Sequence, residues 1–166
     1  MLTIRRLGTV GAISAALLMA GCDLIGGGKY QTYNKDQMYN NSAAIVQEGD
    51  QYSYLLRTGS TTSRIADIGF EGFSGTDTIW ILDVKKKADI RIDYSLTVDK
   101  GEFKVVLVAP GDRAVTIAEG SGDGVSMVTL DKGNNRIKFV GKHTAGKVEM
   151  HLGAGDAVKI TSSADE

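Results

Sequence analysis

The chain has 166 residues, 19 Lys and Arg against 20 Asp and Glu, and a formal net charge of −1. A near-neutral chain without a basic excess offers no electrostatic footing for nucleic acid. One proline and 42% hydrophobic residues exclude a disordered chain, and a single cysteine excludes an intrachain disulfide framework.

The first element is an export signal. Arg5 and Arg6 form a positive n-region, and Leu7 to Met19 is an apolar run of 13 residues. A spanning helix needs about 20 such residues, so this run is too short to stay in the bilayer. Ala20 and Gly21 lead directly into Cys22. The stretch LLMAGC, residues 17–22, resembles the lipobox of bacterial lipoproteins, with Met19 where that motif usually has leucine. The resemblance implies that residues 1–21 are a cleaved signal peptide and that Cys22 carries a diacylglycerol on its sulfur. Each buried methylene contributes about 0.8 kcal/mol, so two or three acyl chains hold a protein to a membrane essentially permanently. This reading places the protein on the extracytoplasmic face of the cell membrane. In a host with two membranes, Asp23 resembles the signal that retains lipoproteins at the inner one. Cleavage removes two arginines and no acid, which leaves a net charge of −3.

Residues 22–44 read as a tether. Gly26, Gly27 and Gly28 are a flexible spacer. Tyr30, Tyr33 and Tyr39 give the polar stretch an aromatic content, and Asn34 can cap a short helix. The ragged apolar spacing predicts a segment packed loosely on the domain, or one that docks a partner.

Residues 45–166 read as one domain built of strands. YSYLLR and TSRIADIGFEGF are the first, followed by TDTIWILDV (residues 76–84) and a turn at Lys85, Lys86 and Lys87. In ADIRIDYSLTVD, the side chains of Ile90, Ile92, Tyr94, Leu96 and Val98 share one face. Arg91, Asp93, Ser95, Thr97 and Asp99 share the other, which predicts a strand with one wet face. DKG (99–101) predicts a hairpin turn into GEFKVVLVAPG, whose two apolar faces predict a central strand covered on both sides. Pro110-Gly111 predicts a type II turn. RAVTIAE, GVSMVTLD, NRIKFVG, GKVEMHLG and AVKI complete the series, with the last two long strands divided by a turn at KHTAG.

About eight to ten short strands at this spacing make an all-β antiparallel sandwich. The segments FSGTDTIW, GEFKVVLVAP and GNNRIKFVG resemble parts of small Gram-positive lipoproteins, and the strand order is similar to jelly-roll modules such as pre-peptidase C-terminal domains. Both resemblances imply a jelly-roll-like sandwich outside the cytoplasm and bring no catalytic residues.

Chemistry is sparse. His143 and His151 are eight apart, outside zinc-ligand spacing; His143 falls in a turn, and His151 alternates with Met150 and Leu152 and so points outward with Glu149. Asp112, Asp123 and Asp131 are weak metal candidates, since calcium would need their loops to converge. Trp80 is expected in the core; a solvent-facing Trp80 near Tyr94 or Tyr54 would instead make a sugar-stacking platform. Lys85, Lys86 and Lys87 form a solvated turn able to touch an anionic surface. No cofactor is implied. The expected role is non-catalytic: binding, adhesion or support in the cell envelope, with the lipid as membrane partner and an envelope polymer or protein as the other. A carbohydrate or wall-polymer module, with or without calcium, and a hydrolase are the alternatives.

Overall fold

The computed structural model describes residues 33–163; the signal, Cys22 and the glycine spacer lie outside them. A 3-10 helix (Lys35–Asn40) and a single-turn helix α1 (Ser42–Ile45) precede eight strands. These are β1 (Gln51–Ser53), β2 (Leu56–Thr61), β3 (Ile65–Val84), β4 (Ala88–Ala109), β5 (Arg113–Glu119), β6 (Gly122–Leu130), β7 (Gly133–Gly153) and β8 (Val158–Ser162). All pairings are antiparallel.

Three strands are far longer than their sequence pattern suggests. β3, β4 and β7 have 20, 22 and 21 residues and lie side by side in the order β3-β7-β4. Each is bent where the register slips, at 70–75 in β3, 98–102 in β4 and 141–144 in β7. Bulges of this kind increase twist and turn a sheet over. The expected hairpin at residues 99–101 is therefore a corner inside one strand, and so is the expected turn at KHTAG. Gly101 (φ +75°) and His143 (φ +48°) supply the positive φ those corners need. A turn forms at residues 110–112, with both Gly111 (φ +78°) and Asp112 (φ +59°) at positive φ, where the expected type II turn asks for it at Gly111 alone.

Folding at the corners makes a sandwich from three shared strands. One layer holds β2, the first half of β3, the second half of β7, the first half of β4, and β6. The other holds β8, the second half of β3, the first half of β7, the second half of β4, and β5, with β1 beside residues 74–76. Alternate residues of both layers meet in a single core that includes Ile68, Trp80, Leu82, Ile92, Leu107, Ile137, Phe139 and Val148. Phe70 stacks on Phe103 at 5.0 Å where the corners meet.

The outer faces of the two layers differ. On the second layer, Val106, Val108 and Val140 are buried under Tyr39 and Ile45 of the N-terminal helices. That explains why GEFKVVLVAPG is apolar on both faces, and it shows residues 34–44 packed tightly where the sequence suggested a loose tether. Met38 and Ala44 are fully buried there too. Burial of each large apolar side chain contributes roughly 1.5–3 kcal/mol. Polar links add to it: Tyr39 Oη donates to Glu119 at 2.7 Å, and Arg136 donates to the carbonyls of Val46 and Gln47 at 2.9 and 3.0 Å. Among the described residues, the first layer has no such cover.

Candidate functional site

The uncovered face of the first layer is the candidate site. Side chains alternate along each strand, so the outward residues of β4 are Arg91, Asp93, Ser95 and Thr97, as the sequence pattern indicates. Register aligns them with neighbours. One row across the sheet reads Ile65, His151, Asp93, Val125, and the next reads Ser60, Asp67, Glu149, Ser95, Asp123. At about 4.8 Å between strands, the second row spans roughly 19 Å. The rows floor an open depression of about 560 Å³, with Ile65 and Val125 exposed at its margins.

Charges on this face are organised in pairs. Arg91 donates from Nε and a terminal nitrogen to Asp93, at 2.6 to 3.1 Å, and holds the Asp93 carboxyl below its usual range. Lys147 sits between Glu149 (2.5 Å) and Asp67 (3.2 Å), and hydrogen bonding to Glu149 raises its ammonium pKa. All of these groups reach solvent, so their pairing orders side chains more than it stabilises the fold. The face thus combines acceptor carboxylates, two cations held against them, and the hydroxyls of Ser60 and Ser95. His151 points outward beside Glu149, as its spacing indicates. Asp93 is engaged by Arg91, and among the described residues no hydrogen bond joins His151 to Asp93 or Ser95.

Other residues singled out by sequence fall elsewhere. Trp80 is 0% exposed, and its indole N–H donates to the Thr62 carbonyl at 2.7 Å, which ties the two layers together. Tyr94 points to the inner side, packs on the core, and lies over Gly124. The proposed aromatic platform of Trp80 and Tyr94 is therefore corrected: both rings serve packing. Asp112 sits in the turn before β5 and Asp131 pairs with Arg113 after β6. Asp123 stands at the other end of β6, eight residues or about 26 Å away along the strand. The three aspartates do not converge, and no group of three metal-ligating side chains forms among the described residues. Lys85, Lys86 and Lys87 are exposed where the chain crosses from one layer to the other.

A second cluster was hidden from the sequence. Between the stretches of β3 paired with β1 and β8, residues 77–79 have no strand on that side among the described residues. The Asp50 carboxylate fills the gap by accepting from Thr78 N (2.9 Å) and Thr78 Oγ1 (3.0 Å). Lys138, 0% exposed, donates to Asp50 (2.9 Å) and to the Gln47 carbonyl (2.7 Å), although burial lowers its pKa. Next to it, Tyr54 Oη donates to Asp77 at 2.6 Å. Burial raises the Asp77 pKa, and it raises that of Tyr54 as well. Lys138 alternates with Ile137 and Phe139 as an outward lysine would; only the N-terminal cover buries it.

No family model matches the chain, and no curated protein matches it. Among solved structures, an exo-β-1,3-galactanase from Phanerochaete chrysosporium is similar over 63% of this chain and 28% of its own, at 18% identity and a TM-score of 0.35. A structure titled as a CBM4 is similar over 69% and 78%, at 11% identity and a TM-score of 0.32. The enzymatically active domain of tailspike protein 4 from bacteriophage CBA120 is similar over 79% and 21%, at 12% identity and a TM-score of 0.34. This chain spans less than a third of the galactanase and of the tailspike domain, and likenesses this distant assign it neither ligand nor reaction.

Proposed function

We propose that this chain is a non-catalytic binding module, held by lipid on Cys22 to the outer side of a bacterial membrane, whose uncovered sheet face takes a hydroxyl-rich envelope polymer. One observation carries the reading. The two outer faces have opposite treatment: one is sealed by the N-terminal helices, while the other presents the ordered row Ser60, Asp67, Glu149, Ser95, Asp123 to solvent. Hydroxyls both donate and accept, so a polysaccharide or wall polymer can satisfy fixed donors and acceptors along such a row. The open shape suits a long ligand lying across the strands, and the apolar margins at Ile65 and Val125 suit the carbon faces of its rings.

Affinity electrophoresis of the full chain through gels containing neutral polysaccharides, anionic polysaccharides or purified wall polymer tests this. Retardation in at least one gel is expected, with a loss of about tenfold or more in affinity for the double variant Glu149→Ala, His151→Ala. Loss of two hydrogen-bonding contacts at about 1 kcal/mol each sets that scale. Unretarded migration in every gel ends the proposal.

A further inference from the structure

Strand β6 ends the open layer on one side, and its outer edge pairs with no strand among the described residues. Such an edge exposes a row of backbone donors and acceptors, and proteins blunt it with lysine, proline, a bulge or brevity. The other edge strands are blunted. β1 and β8 have three and five residues, β2 carries Arg57 and the positive-φ Gly59, and β5 has Arg113, Glu119 and a register slip against β4. β6 has none of these devices. Its nine residues, GDGVSMVTL, keep an unbroken register with residues 88–96 and contain no lysine or proline. They turn Val125 and Met127 outward, 54% and 67% exposed.

We propose that β6 is the seam of a symmetric dimer, pairing antiparallel with β6 of a second copy and joining the two open layers into one sheet. The strand is self-complementary. Only one antiparallel register overlaps all nine residues, with Gly122 opposite Leu130 and Ser126 opposite its own counterpart. That register sets Val125 opposite Met127 of the second copy, so each exposed apolar side chain meets another. Asp123, the one charged residue of β6, stands opposite Thr129 and about 20 Å along the seam from its own counterpart. Its acidic neighbours across the seam are Asp89, two strand spacings or about 9.6 Å off, and Asp131, which Arg113 already neutralises. The added strand also covers Gly124, Ser126 and Val128 on the inner side, which one copy leaves partly buried. The two-fold axis stands perpendicular to the sheet, so both open faces lie on the same side. A single strand pair is a small interface, which makes the association weak and reversible.

Oxidative cross-linking of the full chain, read on non-reducing gels, tests the seam without any polysaccharide and so independently of the reading of the open face. Ser126→Cys should give a disulfide dimer, because directly opposed residues have Cβ atoms about 4.5–5.5 Å apart. Thr58→Cys, on the β2 edge, should give no more dimer than the wild type, which controls for Cys22. In the Ser126→Cys chain, adding Val125→Lys with Met127→Lys sets lysine opposite lysine. The concentration for half-maximal cross-linking should then rise about tenfold or more. Val125→Glu with Met127→Lys sets glutamate opposite lysine and should restore it. Three results overturn the proposal: no dimer from Ser126→Cys, a cross-link instead to Cys22 of the same chain or to another protein, or a yield that the paired lysines leave unchanged.

Discussion

Asp77 is a buried acid held by a tyrosine hydroxyl, and its position has a thermodynamic consequence. Burial raises its pKa above the ordinary carboxylate value, so the folded state binds its proton more tightly than the unfolded chain does. The stability linked to that proton is present in full below the unfolded pKa and is lost as pH rises through the folded one. Asp77→Asn removes this dependence. In thermal melts across the acid range, the variant should gain on the wild type as pH increases, and equal slopes would refute the assignment. Gly101 makes a second prediction. Its φ of +75° disfavours any side chain, and a Cβ there would stand 2.4 Å from the His143 carbonyl oxygen and 2.5 Å from that of Lys142. Gly101→Ala should cost at least about 2 kcal/mol in denaturant titration.

The N-terminal helices decide which side of the sandwich is available, and Lys138 fastens them. Lys138→Met keeps the volume but leaves Asp50 with only Thr78 as partner. Because Asp50 is partly exposed, the loss should be about 2 kcal/mol, below the roughly 3–5 kcal/mol of a fully buried pair. Hydrogen exchange of residues 38–47 should accelerate more than that of the core strands. The same segment marks the limit of what the sequence disclosed. Alternation along β4 was legible and correctly oriented Arg91, Asp93, Ser95 and Thr97 toward water, because a period of two is a local property. The double apolar face of residues 103–109 likewise announced a cover, though not that residues 34–46 provide it. Glycine with Asp or Lys at 99–101 suits a tight turn and a strand corner equally, since both ask for positive φ beside polar side chains. Only pairing with β7 separates the two, and pairing between distant strands leaves no trace in a local pattern. For the same reason, neither the cross-strand row on the open face nor the meeting of Asp50, Asp77 and Lys138 could be read in advance.

At the scale of the whole molecule, the proposed anchor and the fold set a geometry. Cys22 and Tyr33 are eleven residues apart, a chain length that reaches at most about 40 Å. Tyr33 N donates to Gln51 of β1, at the corner end of the covered layer. The Lys85–Lys87 turn follows the far end of β3, about 33 Å along the strand from Ser74. Contact between these lysines and headgroups would therefore need either a sandwich lying along the membrane or a nearly fully extended tether. Mass spectrometry of the native amino terminus should show Cys22 as the first residue bearing acyl chains, and Cys22→Ala should move the protein from membrane to soluble fractions. A wild-type product recovered soluble with residues 1–21 attached would remove the proposed anchor.

The continuity of β3, β4 and β7 through both layers bears on mechanics. A pull arriving from the bilayer side and resisted by a captured polymer on the far side would run along strands that belong to both halves. Many backbone hydrogen bonds would then share the tension in shear, instead of opening one after another from an end. Two separately built sheets would have only side-chain packing to stop them sliding apart; here the polypeptide itself is the strap.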